Sequence, residues 1–152
     1  MNARLALSIA AVLVLAGLTL LARADAPAGR YTIANGTVYD TKTKLTWQQA
    51  GSAGKSCWEC AANYCSSLGG GWHLPTMKEL QTLVDYSRSN PSIDPTAFPS
   101  TPAERFWSST TAAEYVSTEW PKAWTVDFYS GGTQSFEVAI EVGYEFYARC
   151  VR

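Results

Sequence analysis

All four cysteines of this chain, Cys57, Cys60, Cys65 and Cys150, lie beyond an amino-terminal segment that has the grammar of an export signal. Residues 1–4 give a short basic start, and residues 5–22 form an unbroken run of apolar and small side chains. Two small-x-small triplets follow, Ala22-Arg23-Ala24 and Ala24-Asp25-Ala26, just ahead of Pro27. Residues 1–26 therefore read as a cleaved signal peptide and residues 27–152 as one exported domain, periplasmic or extracellular. A retained anchor is the alternative, because the run approaches the ~20 apolar residues that cross a bilayer. The paired cleavage triplets and the lack of a basic stop-transfer cluster favour removal, which leaves no membrane association. No cysteine closes the leader, so a lipid anchor has no attachment atom. Thiols outside the cytoplasm become disulfides. Whatever elements carry these cysteines must therefore meet in space.

The elements follow from periodicity. Over residues 31–48, two short β-favouring runs are punctuated by Asn35-Gly36, a tight hairpin turn, and by Thr41-Lys42-Thr43-Lys44. Asn35-Gly36-Thr37 is also a formal glycosylation sequon, but the turn explains it. Trp58, Ala61, Ala62, Cys65 and Leu68 fall on one side of a helix over residues 57–68, and Gly69-Gly70-Gly71 stops it. Thr76 and Glu79 make a capping box, and Met77, Leu80, Leu83 and Val84 extend an apolar stripe, predicting a second helix to about Tyr86. Residues 87–104 hold Pro91, Pro95, Pro99 and Pro102 and read as a long loop, ordered if Ile93, Phe98 and Phe106 are buried. In residues 123–129, Trp124, Val126 and Phe128 alternate with Thr125, Asp127 and Tyr129, and Gly131-Gly132 turns the chain into the next run. From Val138 every even position is apolar through Ile140, Val142, Tyr144, Phe146, Ala148 and Cys150, while Glu137, Glu141, Glu145 and Arg149 occupy odd ones. That pattern predicts half-buried strand with a bulge or break at Gly143.

Four cysteines allow three pairings. Cys65 lies on the apolar face of the first helix and Cys150 on the apolar face of the terminal strand, so both point inward. We expect Cys65 to pair with Cys150 and, by exclusion, Cys57 with Cys60. Two other readings compete. Cys57-Trp58-Glu59-Cys60 is a C-x-x-C at a helix start, where a thiol-redox role is conceivable, although the βαβ surroundings of such a site are missing. Cys57, Cys60, Cys65 and His73 also make a formal zinc set, which would strand Cys150 as a free thiol. The lone histidine, between Trp72 and Leu74, reads more simply as a packing residue.

A catalytic reading finds little to stand on. There is no G-x-S-x-G, and the glycine triplet follows a helix, whereas phosphate-cradling loops precede one. The expectation is no enzyme, no metal and no cofactor. The chain is 47% apolar and carries a net charge of −1, so it can bury a core but has no basic surplus for nucleic acid. Loss of Arg4, Arg23 and Asp25 with the leader makes the remainder more acidic. None of the 6 Trp, 8 Tyr and 5 Phe is in the leader. The domain is therefore rich in aromatic rings.

Four runs in order carry a resemblance: Gly70-Gly71-Trp72-His73-Leu74-Pro75-Thr76-Met77-Lys78-Glu79-Leu80, Phe106-Trp107-Ser108-Ser109-Thr110, Ala123-Trp124-Thr125-Val126-Asp127-Phe128 and Ala148-Arg149-Cys150-Val151-Arg152. Over roughly residues 36–152 the chain resembles the Lcl C-terminal domain family, named for the carboxy-terminal domain of the Legionella collagen-like protein and long a domain of unknown function. The resemblance implies an α+β, C-type lectin-like fold: two helices on short antiparallel sheets, paired ends and a long ordered loop. It also implies a helix-to-last-strand disulfide, matching Cys65 with Cys150. The named member resembles an adhesin for sulfated polysaccharides, which implies a basic surface that this chain lacks. The Glu-Pro-Asn, Gln-Pro-Asp and Trp-Asn-Asp signatures of calcium-dependent lectins are absent. Formylglycine-generating enzymes share the broader fold, but their active-site cysteines have no counterpart in the last third apart from Cys150.

These readings converge on an exported, non-catalytic recognition domain for a glycan or cell-surface polymer. The expected binding face draws on Tyr115, Trp120 and Lys122 from irregular segments over residues 87–122, with Asp127 and Tyr129 from the polar side of the neighbouring strand. Trp107 and Trp124 are core under the alternative in which the loop aromatics merely pin the loop. A second class is an envelope structural or protein-interaction module with no small ligand.

Overall fold

Asn35 and Gly36 take φ values of 50° and 73°, the left-handed pair that a two-residue hairpin requires. The turn sets the register of an antiparallel sheet in a computed structural model that describes residues 27–113, 121–139 and 143–152. The leader expected over residues 1–26 lies outside the described residues. In this first sheet, β1 (Tyr31–Ala34), β2 (Thr37–Asp40) and β3 (Thr46–Gln48) stand in order β1-β2-β3. Val38 faces Ile33 on one side and Trp47 on the other, and Val38 and Trp47 are fully buried.

The first helix, α1 (Trp58–Ser67), begins where Cys57 acts as N-cap and its Sγ accepts from the Cys60 amide at 3.0 Å. Ala61 and Cys65 are buried as the stripe requires, whereas Leu68 is 42% exposed at the C-cap. Gly69, Gly70 and Gly71 follow with φ of 67°, 57° and 83°, which no continuing helix adopts. The second helix, α2 (Met77–Gln81), has the expected capping box but is shorter than the apolar stripe predicts. Beyond Gln81 the amides of Thr82, Leu83 and Val84 bond three residues back at 3.0, 3.1 and 3.1 Å, and the Asp85 amide is taken by Ser92 O at 3.0 Å. The tighter turns still bury Leu83, so the stripe persists after the helix has ended.

Residues 87–104 form an ordered loop in which Ile93, Ala97 and Phe98 are buried. The second sheet has order β4-β5-β6, all antiparallel: β4 (Arg105–Thr111), β5 (Lys122–Asp127) and β6 (Thr133–Glu137). The strand β4 begins where the expected loop ends, and β5 corrects the expectation that Lys122 lies in an irregular segment. In β4, Phe106, Trp107 and Ser108 are all buried in succession, which hides the period of two. The central strand β5 is covered on both faces, so Thr125 is as buried as Val126. Val126 and Phe128 join a core with Phe106, Leu80 and Leu83, while Ala123 joins a second core with Trp107, Cys65 and Cys150.

The chain end departs furthest from expectation. β6 stops at Glu137, residues 140–142 lie outside the described residues, and past Gly143, where a bulge or break is expected and φ is 74°, residues 144–152 make single bridges to several partners rather than a half-buried strand. Tyr147 pairs with β4 through Tyr147 N to Arg105 O at 3.0 Å and Trp107 N to Tyr147 O at 2.9 Å. Val151 exchanges two hydrogen bonds with His73, at 2.9 and 3.0 Å, and Arg152 N donates to Thr46 O at 2.9 Å. Because this segment is wedged between the sheets, Arg149 is fully buried along with Ala148 and Cys150, rather than on a polar face. The disulfides are Cys65–Cys150, with a sequence separation of 85, and Cys57–Cys60. Among the described residues no helix is long and apolar enough to cross a membrane.

Candidate functional site

The expected face is divided by the structure. Tyr115 and Trp120 lie outside the described residues. Lys122 opens β5 and Asp127 closes it, so about 16 Å of extended strand separates them. Asp127 is engaged with Arg105 at 3.4 Å, and its Oδ1 accepts from the Tyr129 amide at 2.8 Å. Asp127 and Tyr129 therefore do not join Lys122 in one site. Trp107 is fully buried, and its Nε1 donates to Ser56 O at 2.9 Å, while Trp124 is half-buried.

What does gather around Lys122 is a cleft of about 150 Å³ lined by Gln134, Ser135, Phe136, Glu137 and Tyr144. The antiparallel register puts Glu137 opposite Lys122 and Phe136 opposite Ala123. Tyr144, 42% exposed, meets Phe136 edge-on with ring centres 5.0 Å apart. Phe136 in turn packs on Phe146 at 4.8 Å, and Phe146 on buried Trp107 at 4.7 Å. A ladder of rings thus runs from the core to the cleft and fixes its aromatic wall. The Arg105 guanidinium lies 5.1 Å from the centre of the Phe136 ring, within cation–π reach. An ammonium, a carboxylate, an amide and a hydroxyl therefore surround a partly exposed ring. Sequence reasoning found only Lys122 here. The Gly131-Gly132 turn, taken as a hairpin, was the signal that would have set Glu137 opposite it.

The cysteines and the histidine carry no comparable site. With Cys57 joined to Cys60 and Cys65 to Cys150, the disulfides argue against a zinc or redox role. No group of three or more metal-ligating side chains occurs among the described residues. His73 is not a packing residue, since its side chain is 51% exposed; its Nδ1 lies 3.0 Å from Gly71 O and its Nε2 3.9 Å from Glu79. Its backbone is what the fold uses, through the pairing with Val151.

Two framework groups have displaced ionisation. Burial pushes the Asp40 carboxyl up, but the Arg30 guanidinium at 2.8 Å and the Lys42 amide more than offset this and hold it below its ordinary range. Burial alone brings Arg149 down to about 9.

Two small antiparallel sheets, two helices and two disulfides define a small cross-linked α+β domain. The chain belongs to the Lcl C-terminal domain family, whose model matches residues 36–152. Membership points to a non-catalytic extracellular domain, and the disulfides are consistent with export. No curated protein matches the chain.

Proposed function

We propose that this is an exported, non-catalytic recognition domain that binds a glycan or cell-surface polymer at the Lys122 cleft, within a C-type lectin-like frame. The observation that carries the reading is the pairing of hydrogen-bonding groups of both signs with the Tyr144 ring. Sugars present the same combination, hydroxyls around an apolar face, and a fixed ring loses little freedom on binding. The cleft is well below the roughly 300–1,000 Å³ that encloses a drug-sized ligand, so it suits the edge of a polymer. A glycan array probed with residues 27–152 tests this, with Lys122→Ala, Tyr144→Ala and Trp120→Ala as comparisons. A defined set of binders, lost in the first two variants, is the expected result. The absence of any binder, or binders indifferent to both substitutions, overturns the reading in favour of a structural or protein-interaction module.

A further inference from the structure

Away from the cleft, Tyr86 and Tyr129 are 74% and 57% exposed. Each is presented by a turn whose backbone is tied down. Asp85 Oδ1 accepts from the Ser87 amide at 3.0 Å, and Asp85 Oδ2 from Arg88 Nε at 3.1 Å, which holds the turn carrying Tyr86. Asp127 holds the other turn through the Tyr129 amide, and its carbonyl accepts from the Gly131 amide at 2.7 Å. The turns are joined to each other: Asn90 N donates to Tyr129 O at 2.9 Å and Ser92 N to Phe128 O at 2.6 Å. Tyr86 and Val84 also lie so close to Gly131 that a Cβ there would stand 3.1 Å from the Tyr86 ring and 2.6 Å from Val84.

We propose that Tyr86 and Tyr129 form a second, stacking subsite for a neutral glycan. The inference rests on the glycan reading above, uses side chains outside the cleft, and adds the chemical class of ligand. Two phenol rings on fixed turns offer apolar faces to the C–H side of sugar rings and hydroxyls at the rim. Both carboxylates here are engaged, Asp85 with Arg88 at 3.1 Å and Asp127 with Arg105 at 3.4 Å. A sulfated or otherwise anionic polymer would need clustered, uncompensated cations, whereas Arg88 and Arg105 are each matched by one of these carboxylates.

The test is binding of soluble neutral polysaccharides (a glucan, a mannan and chito-oligosaccharides) and of dextran sulfate to the domain, by calorimetry and affinity electrophoresis. At least one neutral polymer binds, Tyr86→Ala and Tyr129→Ala each weaken it roughly five- to tenfold, and Tyr86→Phe keeps most of the affinity. Both tyrosines are on the surface, and thermal melts matching the parent protein confirm that the variants fold. Binding of dextran sulfate alone, of no polymer, or binding unchanged in both alanine variants overturns the subsite. Loss with Lys122→Ala but not with the tyrosine variants overturns it while leaving the cleft standing. The reverse pattern supports it and removes the cleft.

Discussion

Arg149 is a buried cation whose neighbours are oxygens and rings. Its guanidinium donates to Gln48 O at 2.9 Å, to Gln49 O, and to Thr101 Oγ1 at 2.8 Å, and it lies 4.8 Å from the Phe98 ring centre. One side chain thereby joins β3, the ordered loop and the chain end. Arg149→Met fills the volume but leaves three acceptors without a donor, so we expect about 3 kcal/mol or more of lost stability, read from the urea midpoint. Asp40 supplies a pH signature. Its carboxyl is held below the ordinary value of 3.8 by Arg30, so its contribution is complete above that value and is lost as the pH falls through the lower, folded-state value. Asp40→Asn should cost about 3 kcal/mol at neutral pH. Urea midpoints of the two proteins should converge as the pH descends through the carboxylate range; a constant gap defeats the assignment.

At the scale of elements, the helix starts were the most legible parts because they are written in local chemistry, whereas the end of α2 at Gln81 was hidden by a stripe that tighter turns continue. Thr76 Oγ1 accepts from the Glu79 amide at 3.2 Å and Glu79 returns to the Thr76 amide at 2.8 Å. Thr76→Ala should therefore lower stability by about 1 kcal/mol, measured by thermal or urea unfolding, with Thr76→Ser close to neutral. The hairpin at Asn35-Gly36 was legible for the same reason. The strand β4 was not, because burial on both faces erases alternation, as Phe106, Trp107 and Ser108 show. The end of the chain misled in the opposite way. Its even-numbered apolar residues are real, but partners from several elements cover Arg149 as well, so period two did not mean a single sheet face. The cleft residues were hidden for a related reason: Glu137 and Tyr144 fitted a strand pattern that needed no site.

For the whole molecule, the two disulfides are unequal. In the chain-entropy model, the separation of 85 between Cys65 and Cys150 is worth roughly 4 to 5 kcal/mol and the short Cys57–Cys60 loop roughly 2 kcal/mol. Cys65→Ser with Cys150→Ser should unfold the domain at physiological temperature or close to it, while Cys57→Ser with Cys60→Ser lowers the melting temperature modestly; calorimetry of both double variants checks the order. The long bridge was legible from sequence because each cysteine sits on an apolar face. The clasp made by the last residues has a further consequence in time. His73, Trp107 and Thr46 all wait for partners between residues 147 and 152. These contacts join positions far apart in the chain, so they close late in folding, after the Asn35-Gly36 hairpin and the capped helix starts, whose partners are local, have formed.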